Sequence, residues 1–284
     1  MRLLILGGSG MLGHQLWRGL HAQHDTWVTL RRPVADFEVH NLFDEAKAIQ
    51  FDDITDDTAL ERALGQAKPE AVINCVGLIK QRDEASDEAL TLRVNAEFPH
   101  RLAKRCGEAG ARLIHFSTDC IFAGTKGNYT ESDPPDAADL YGQSKHQGEV
   151  ADAHSVTLRT SVIGHELATN LALLDWFLSQ RGQAIRGFTK AIYSGFTTLE
   201  MARIVDRILT QHTDLSGVWH VASEPISKFG LLELCREKLG WEGVIEPNDE
   251  FVCDRSLNAD RFNAATGYTP PSWEAMIGEL AQQS

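Results

Sequence analysis

The chain has no long apolar run, and nowhere in its 284 residues does one approach the ~20 needed to span a bilayer. The first apolar stretch, at 3–6, passes at once into glycines, without the apolar region and cleavage site of a secretory leader. Cysteine is scarce and odd in number: Cys75, Cys106, Cys120, Cys235 and Cys253 are widely spaced and form no CxxC pair. That excludes a disulfide framework and a thiolate zinc site, and it favours free thiols in a reducing, cytoplasmic setting. The histidines, His21 and His24 among them, lack any HExxH or comparable ligand spacing, so no metal is expected. Basic residues are in deficit, 27 Lys and Arg against 40 Asp and Glu, which leaves a formal charge of −13. Such a balance opposes nucleic acid and anionic membrane as partners. It does not oppose a small anion, which needs only a few cationic or N–H groups.

What is present is an ordinary globular composition, 43% apolar, in which glycine (23) far outnumbers proline (9). Short apolar, β-branched runs at 3–6, 26–30, 71–76, 113–117 and 156–159 read as strands, and 48–51 is a further apolar stretch. Continuous rather than alternating apolarity marks strands buried on both faces, as in a parallel sheet. Helical periodicity lies between them at about 11–22, 57–66, 87–109 and 140–152. The alternation implies a Rossmann-type doubly wound α/β sheet. After about 165 the rhythm changes: a helix near 170–181, another at 198–211, one more strand at 217–222, and a mixed C-terminal stretch. Trp176, Phe177 and Trp273 read there as core of a smaller lobe.

Directly after the first strand stand Gly7, Gly8, Ser9, Gly10, Met11, Leu12 and Gly13, with a helix to follow. Glycines at 7, 10 and 13 allow a tight turn, close backbone approach to a pyrophosphate and close helix–strand packing. The pyrophosphate then meets the unpaired N–H groups of a helix N-terminus. A purely structural turn is the alternative, but the place between strand and helix at the head of the chain favours dinucleotide binding. The second strand ends in Arg31 and Arg32, where an NAD site would carry a carboxylate for the ribose diol. Guanidinium pairs with a 2′-phosphate, so NADPH is favoured over NADH, the alternative being a solvated basic turn. Asp53 and Ile54 offer a carboxylate and an aliphatic wall to an adenine, or else belong to an acidic helix start. Cys75, Val76 and Gly77 end the fourth strand at the ligand-facing edge of the sheet.

Tyr141 and Lys145 are four residues apart and share one helix face. A free phenol titrates near ~10, so a neighbouring ammonium that favours phenolate would bring it into working range. Lys145 also suits the ribose hydroxyls of a nicotinamide nucleotide, and Thr118 suits the reacting oxygen. Pro99 has no N–H to bond the carbonyl of Asn95. That carbonyl is either a water-binding link in a proton relay to Lys145 or the mark of an ordinary kink.

Gly7, Gly10, Gly13, Asp53, 74–77, Asn95, Thr118, Tyr141 and Lys145, in this order, resemble the extended short-chain dehydrogenase/reductases. Within them, the run 117–124 resembles the signature of the dTDP-4-dehydrorhamnose reductase family, and Tyr129, Glu131, Asp133, 140–145 and 158–161 continue it. The resemblance is good over 1–222 and loose beyond. It implies NADPH-dependent reduction of the C4 keto group of a nucleotide diphosphate-sugar, a 6-deoxyhexose, for polysaccharide biosynthesis. It assigns Thr118, Tyr141, Lys145 and Asn95 to catalysis. Residues 1–168 with about 191–222 become the cofactor-binding part, and about 169–190 with 223–284 the substrate-binding lobe. Lys80, Asp119, Cys120 and Arg255 become substrate contacts, Arg255 because 254–258 resembles the family's C-terminal substrate segment. Arg186 is a further cation for a diphosphate, and a homodimer is open.

Cys120 and Val162 depart from the aromatic residues usual in the reductases and lie near the expected sugar site. They keep a UDP-N-acetyl-6-deoxyhexulose open as substrate. The pair Asp119-Cys120 lacks the second acid of a 4,6-dehydratase. A nucleotide-sugar epimerase and a non-catalytic NADP-binding regulatory subunit also stay open on this fold, the latter disfavoured by the joint presence of Thr118, Tyr141 and Lys145.

Overall fold

A computed structural model describes residues 1–80 and 83–283. β1 (Arg2–Leu6) is buried at its four apolar positions, as a strand covered on both faces must be. It leads through the glycines to α1 (Met11–Leu20), β2 (Asp25–Leu30), β3 (Ala48–Gln50), α2 (Asp57–Ala67) and β4 (Ala71–Asn74). Then come α3 (Glu88–Leu92), a π turn over Arg93–Glu97, α4 (Phe98–Glu108), β5 (Arg112–Thr118), α5 (Leu140–Gln147) and β6 (Ser155–Thr160). β7 (Val162–Ile163), α6 (Leu173–Ser179), β8 (Ala184–Phe188), β9 (Ala191–Tyr193), β10 (Phe196–Thr197), α7 (Thr198–Gln211) and β11 (Gly217–His220) follow. The chain ends with β12 (Ile226–Ser227), α8 (Lys228–Lys238), β13 (Val244–Asn248), β14 (Cys253–Asp254), α9 (Asp260–Thr266) and α10 (Trp273–Ala281).

Seven parallel strands form the main sheet in the order β3-β2-β1-β4-β5-β6-β11. This is the doubly wound Rossmann-type arrangement. The chain winds outward from β1 in one direction and from β4 in the other, which opens a crevice at the carboxyl ends of those two strands. Leu16, Trp17 and Leu20 of α1 pack with Ile204, Val205 and Ile208 of α7 in one apolar cluster. Leu60 and Leu64 of α2 pack with Phe98 and Leu102 of α4 in another. Each cluster draws on different residues of the central strands, Leu3 and Ile5 in the first, Leu4 and Leu6 in the second, so the sheet is covered on both faces.

The C-terminal part adds small sheets. β8 pairs with β13, and β9 lies between β12 and β14. Stretch 191–193 therefore pairs with lobe strands, and the chain rejoins the large sheet only at β11. Phe177 stacks on Trp241 at 4.5 Å and Tyr193 lies 5.5 Å from Trp273, so Phe177 and Trp273 are buried core residues, in one apolar cluster with Leu3 and Ile5 of the main sheet. Trp176 is 38% exposed, because neighbours on a helix point ~100° apart and Phe177 takes the inner side.

Two expected helices are modified. The helix over 87–109 is interrupted by the π turn, in which the Phe98 amide bonds the Arg93 carbonyl five residues back. With Pro99 unable to donate to Asn95, the usual ladder is broken there, and the wider turn keeps the axis continuous. The helix over 140–152 stops at Gln147. Gly148 then lies against the Asn95 carbonyl, where a Cβ would fall 1.9 Å from that oxygen. No helix among the described residues is long and apolar enough to cross a membrane.

Candidate active site

The loop from β1 to α1 has the geometry of an anion cradle. Gly7 adopts φ +80°, open to glycine, and a Cβ at Gly13 would stand 2.2 Å from the Gly7 carbonyl oxygen. Gly10 is different: a Cβ there would meet only that same oxygen, at 3.4 Å, so the protein itself leaves room beside it. Gly10 is the N-cap of α1 without a side-chain cap, and the first turn carries no acidic residue. The amides of Met11, Leu12 and Gly13 thus point out of a helix N-terminus with no intrahelical acceptor, next to Ser9. A dinucleotide pyrophosphate fits such a loop.

At the end of β2, Arg31 is exposed and has no partner among the described residues, whereas Arg32 lies 3.5 Å from Asp36 and over the Phe37 ring at 5.0 Å. Asp53 is exposed, and one of its oxygens accepts from both the amide and the hydroxyl of Thr55 at 2.7 Å. Asp56, not Asp53, caps α2. Ile54 is half-buried beside it. Past β4, Asn74 turns the chain by accepting from the Val76 amide at 3.1 Å. Cys75 and Val76 flank Gly7, and Gly77 is exposed at the edge. Burial pushes the Cys75 thiol well up, so it is a neutral small group.

Thr118 ends β5, and its hydroxyl donates to Asp119 at 3.1 Å while accepting from the Cys120 amide at 3.1 Å. Asp119 and Lys145 are each 6% exposed. Asp139 caps α5 by accepting from the Gly142 amide at 2.9 Å, which aims Tyr141 and Lys145 at the end of β5. The Lys145 ammonium donates to the Phe116 carbonyl at 2.6 Å. Burial lowers it to about 8, against the raising influence of Glu149 and Cys75. Burial also pushes the Tyr141 phenol above its ordinary value, with Cys120 adding to the rise and a hydrogen bond with Thr118 opposing it. The expectation that Lys145 draws the phenol down is therefore corrected: the ammonium is turned to a backbone carbonyl, and desolvation dominates.

Lys80 pairs with Asp139 at 2.7 Å and lies 5.5 Å from the centre of the Tyr141 ring. Both line a cavity of about 500 Å³ with Leu78, Thr91 and Leu140. Arg255 reaches in from the C-terminal segment, donating to the Phe122 carbonyl at 2.7 Å and to the Cys120 sulfur at 3.5 Å. Burial raises the Cys120 thiol to about 12. Arg186, on β8, is exposed in the lobe. Asn95, in the π turn, holds Leu78 from both sides, accepting from its amide and donating to its carbonyl, each at 2.9 Å. The main-chain carbonyl of Asn95 lies against Gly148.

The structure thus brings Thr118, Tyr141, Lys145, Lys80, Asp119, Cys120 and Arg255 into one neighbourhood at the carboxyl edge of the sheet. It adds residues that sequence reasoning passed over. Asp139 was visible as an N-cap three residues before a glycine. A second set joins Ser117, Glu149, Arg159 and His220: Glu149 accepts from Ser117 Oγ at 2.7 Å and from Arg159 Nε and Nη2 at 2.8 Å, and Arg159 Nη1 meets His220 Nε2 at 3.1 Å. Its signal was the four-residue spacing of 141, 145 and 149. No group of three or more His, Cys, Asp or Glu residues is placed to hold a metal among the described residues.

The dTDP-4-dehydrorhamnose reductase of Streptomyces griseus is 33% identical over 151 residues, 53% of this chain and 44% of that protein. Methionine adenosyltransferase 2 subunit beta of Mus musculus is 30% identical over 154 residues, 53% of this chain and 42% of that one. The chain spans less than half the length of these curated relatives. A solved structure described as a hypothetical dTDP-4-dehydrorhamnose reductase from Sulfolobus tokodaii superposes with a TM-score of 0.79 at 26% identity, over 97% of this chain and 99% of that one. The family described as RmlD substrate binding domain matches residues 1–283. The match along residues 1–283 places this chain in the RmlD substrate binding domain family.

Proposed function

We propose that the chain is an NADPH-dependent reductase of the C4 keto group of a nucleotide-activated 6-deoxyhexose, most like dTDP-4-dehydrorhamnose. The observation that carries this reading is the meeting of Thr118, Tyr141 and Lys145 at the carboxyl edge of the sheet. Reduction of a ketone needs a proton donor, and a buried phenol is one at neutral pH. The names of the Streptomyces griseus and Sulfolobus tokodaii proteins support the same substrate class.

Gly7, Ser9, Gly10, Met11 and Leu12 hold the pyrophosphate, Arg31 and Arg32 the 2′-phosphate, and Asp53 with Ile54 the adenine. Cys75, Val76 and Gly77 wall the groove, and Lys145 holds the ribose hydroxyls. When bound, the dihydronicotinamide supplies a hydride to the keto carbon. Thr118 hydrogen-bonds the keto oxygen, which requires its proton to swing from Asp119. Tyr141 gives its Oη proton to that oxygen as the carbon is reduced, so carbonyl, hydride and proton become one secondary alcohol. Lys145, which has to leave the Phe116 carbonyl for this, then offsets the negative charge left on Tyr141. Asn95 fixes Leu78 under the cleft. Lys80 and Arg255 take the diphosphate and sugar side of the substrate, with Asp119 and Cys120 lining it. Residues 1–168 with most of 191–222 carry the cofactor, and 169–190 with 223–284 carry the sugar nucleotide.

The test is consumption of NADPH, followed by absorbance, with freshly generated dTDP-4-keto-6-deoxy-L-mannose and with its UDP-N-acetyl counterpart. Turnover that prefers the dTDP sugar and is lost in Tyr141→Phe is the expected result. Preference for the UDP sugar changes the substrate and leaves the chemistry. The likeness to a methionine adenosyltransferase subunit favours a second reading, a cofactor-binding subunit without turnover of its own. Tight NADPH binding with no consumption of either sugar selects it.

A further inference from the structure

We propose that Glu149 is a positioning residue of this site, the counter-charge that holds the Lys145 ammonium in place from an anchor made by Ser117 and Arg159. The inference rests on the proposed keto-sugar reduction only in what that reaction gives Lys145 to do.

Tyr141, Lys145 and Glu149 stand four residues apart, the last in the turn that closes α5, where the Glu149 amide bonds the His146 carbonyl at 3.1 Å. Three successive residues of β5 meet them. The Phe116 carbonyl takes the Lys145 ammonium at 2.6 Å, Ser117 Oγ donates to Glu149 at 2.7 Å, and Thr118 faces Tyr141. Ser117 and Arg159 are register partners across β5 and β6, so the carboxylate is clasped by two adjacent strands. His146 approaches its second oxygen at 3.1 Å. The Glu149 side chain is 6% exposed, as is that of Arg159. A carboxylate so deeply held cannot turn away to solvent, and its charge acts on whatever lies beside it at reduced screening.

Lys145 stands one helical turn before it, its ammonium on the carbonyl of the residue that precedes Ser117. Among the described residues, the other titratable groups that face this ammonium are the Cys75 thiol, kept neutral by burial, and His115 of β5, whose burial keeps it neutral too. Asn95 approaches without a charge, since its Oδ1 and the Lys145 Nζ both border Gly77. Glu149 is accordingly the carboxylate that sustains the cation. It is also tied outward: Arg159 meets His220, whose ring bonds the Tyr129 carbonyl at 2.9 Å. Tyr129 in turn is clamped to Ser256 and Asn258, beside Arg255. The position of the ammonium is thereby linked to the segment that delivers Arg255.

The experiment reads Lys145 directly in the free protein. Lysines are labelled with carbon-13 at Cε, the Lys145 resonance is identified by its loss in Lys145→Arg, and its chemical shift is titrated through the alkaline range. The wild-type midpoint is expected near 8. In Glu149→Gln it is expected to fall by about one pH unit, a tenfold easier loss of the proton. Glu149→Gln leaves Arg159 buried without its partner, so the double variant Glu149→Gln/Arg159→Met, which removes both charges, is measured beside it and decides alone if the single variant does not fold. Its midpoint is expected below wild type as well. A midpoint unchanged in whichever of them folds overturns the proposal, including the case where activity is lost, which would mark Glu149 as structural only. Because the titration needs neither cofactor nor sugar, it stands whether or not keto-sugar reduction is found. If it is found, the alkaline limb of its pH profile moves with the Lys145 midpoint.

Discussion

Burial acts on the two titratable partners of α5 in opposite senses. It takes charge from Lys145, lowered to about 8, and withholds charge from Tyr141, whose phenol is raised. At neutral pH both hold their protons, which suits a site that must deliver one. The lysine cation is costly to the fold. Its folded value lies below the unfolded one of 10.5, so the unfolded chain binds the proton more tightly and stability rises with pH between about 8 and 10.5. Below 8 the cost is in full force, about 3 kcal/mol. Lys145→Met is therefore expected to raise Tm by several degrees at pH 7 and to abolish reduction, as thermal denaturation and the NADPH assay would show together. Arg31 is a second residue with one task. Its side chain makes no hydrogen bond or ion pair among the described residues, so its removal breaks none of those. Arg31→Ala is expected to weaken NADPH binding about tenfold to a hundredfold and to leave NADH binding and unfolding unchanged. Equal loss for the two nucleotides would place the 2′-phosphate elsewhere.

At the level of elements, the glycine loop separates two roles that look alike in sequence. Gly13 has no room for a Cβ, which would fall 2.2 Å from the Gly7 oxygen, whereas Gly10 has ordinary space at 3.4 Å and an extended φ of −74°. Gly13→Ala is expected to destabilise the protein by about 1–3 kcal/mol. Gly10→Ala is expected to fold normally and lose dinucleotide affinity, because the added methyl occupies the approach to the helix amides. Urea unfolding and a binding titration on both variants check the contrast. The strands of the main sheet were legible because their apolar residues run on without alternation, and α1, α2 and α7 because theirs recur at the helix period. The π turn was not, since Pro99 announces a broken ladder but not how the chain repairs it. The early end of α5 was hidden for a related reason: Gly148 is required by a contact with Asn95, far away in sequence. In the site, Tyr141, Lys145 and Thr118 could be read from spacing and order. The direction of the Tyr141 shift could not, because it depends on enclosure and on where the Lys145 ammonium points. Glu149 could not be told from an exposed helix-end carboxylate until Arg159 and Ser117 were seen to grasp it.

Across the whole molecule, three histidines are buried in separate places and kept uncharged: His14 on α1 and His220 on β11, each lowered to about 4 by burial, and His115 on β5, lowered well below 6.5 by burial. Each has a folded value below its unfolded one, so the unfolded chain takes up protons that the folded chain refuses. Stability is accordingly expected to fall as pH drops from about 6.5 towards 4, with unfolding in that window taking up to three protons from these groups alone. Urea unfolding at a series of pH values measures the slope, and His14→Asn is expected to reduce it by about one proton. The same global view bears on function. In the proposed reading, Arg31, Lys80, Lys145 and Arg255 serve two anionic ligands in a chain of net charge −13. The most direct test of that reading is the fate of the transferred hydrogen. With NADPH carrying deuterium at the reactive nicotinamide carbon and the dTDP-linked 4-keto sugar as partner, mass spectrometry of the product is expected to show one deuterium at sugar C4, formed by the wild type and not by Tyr141→Phe. A product without deuterium, or one formed equally well without the Tyr141 hydroxyl, would contradict the assignment of this crevice as a keto-sugar reductase.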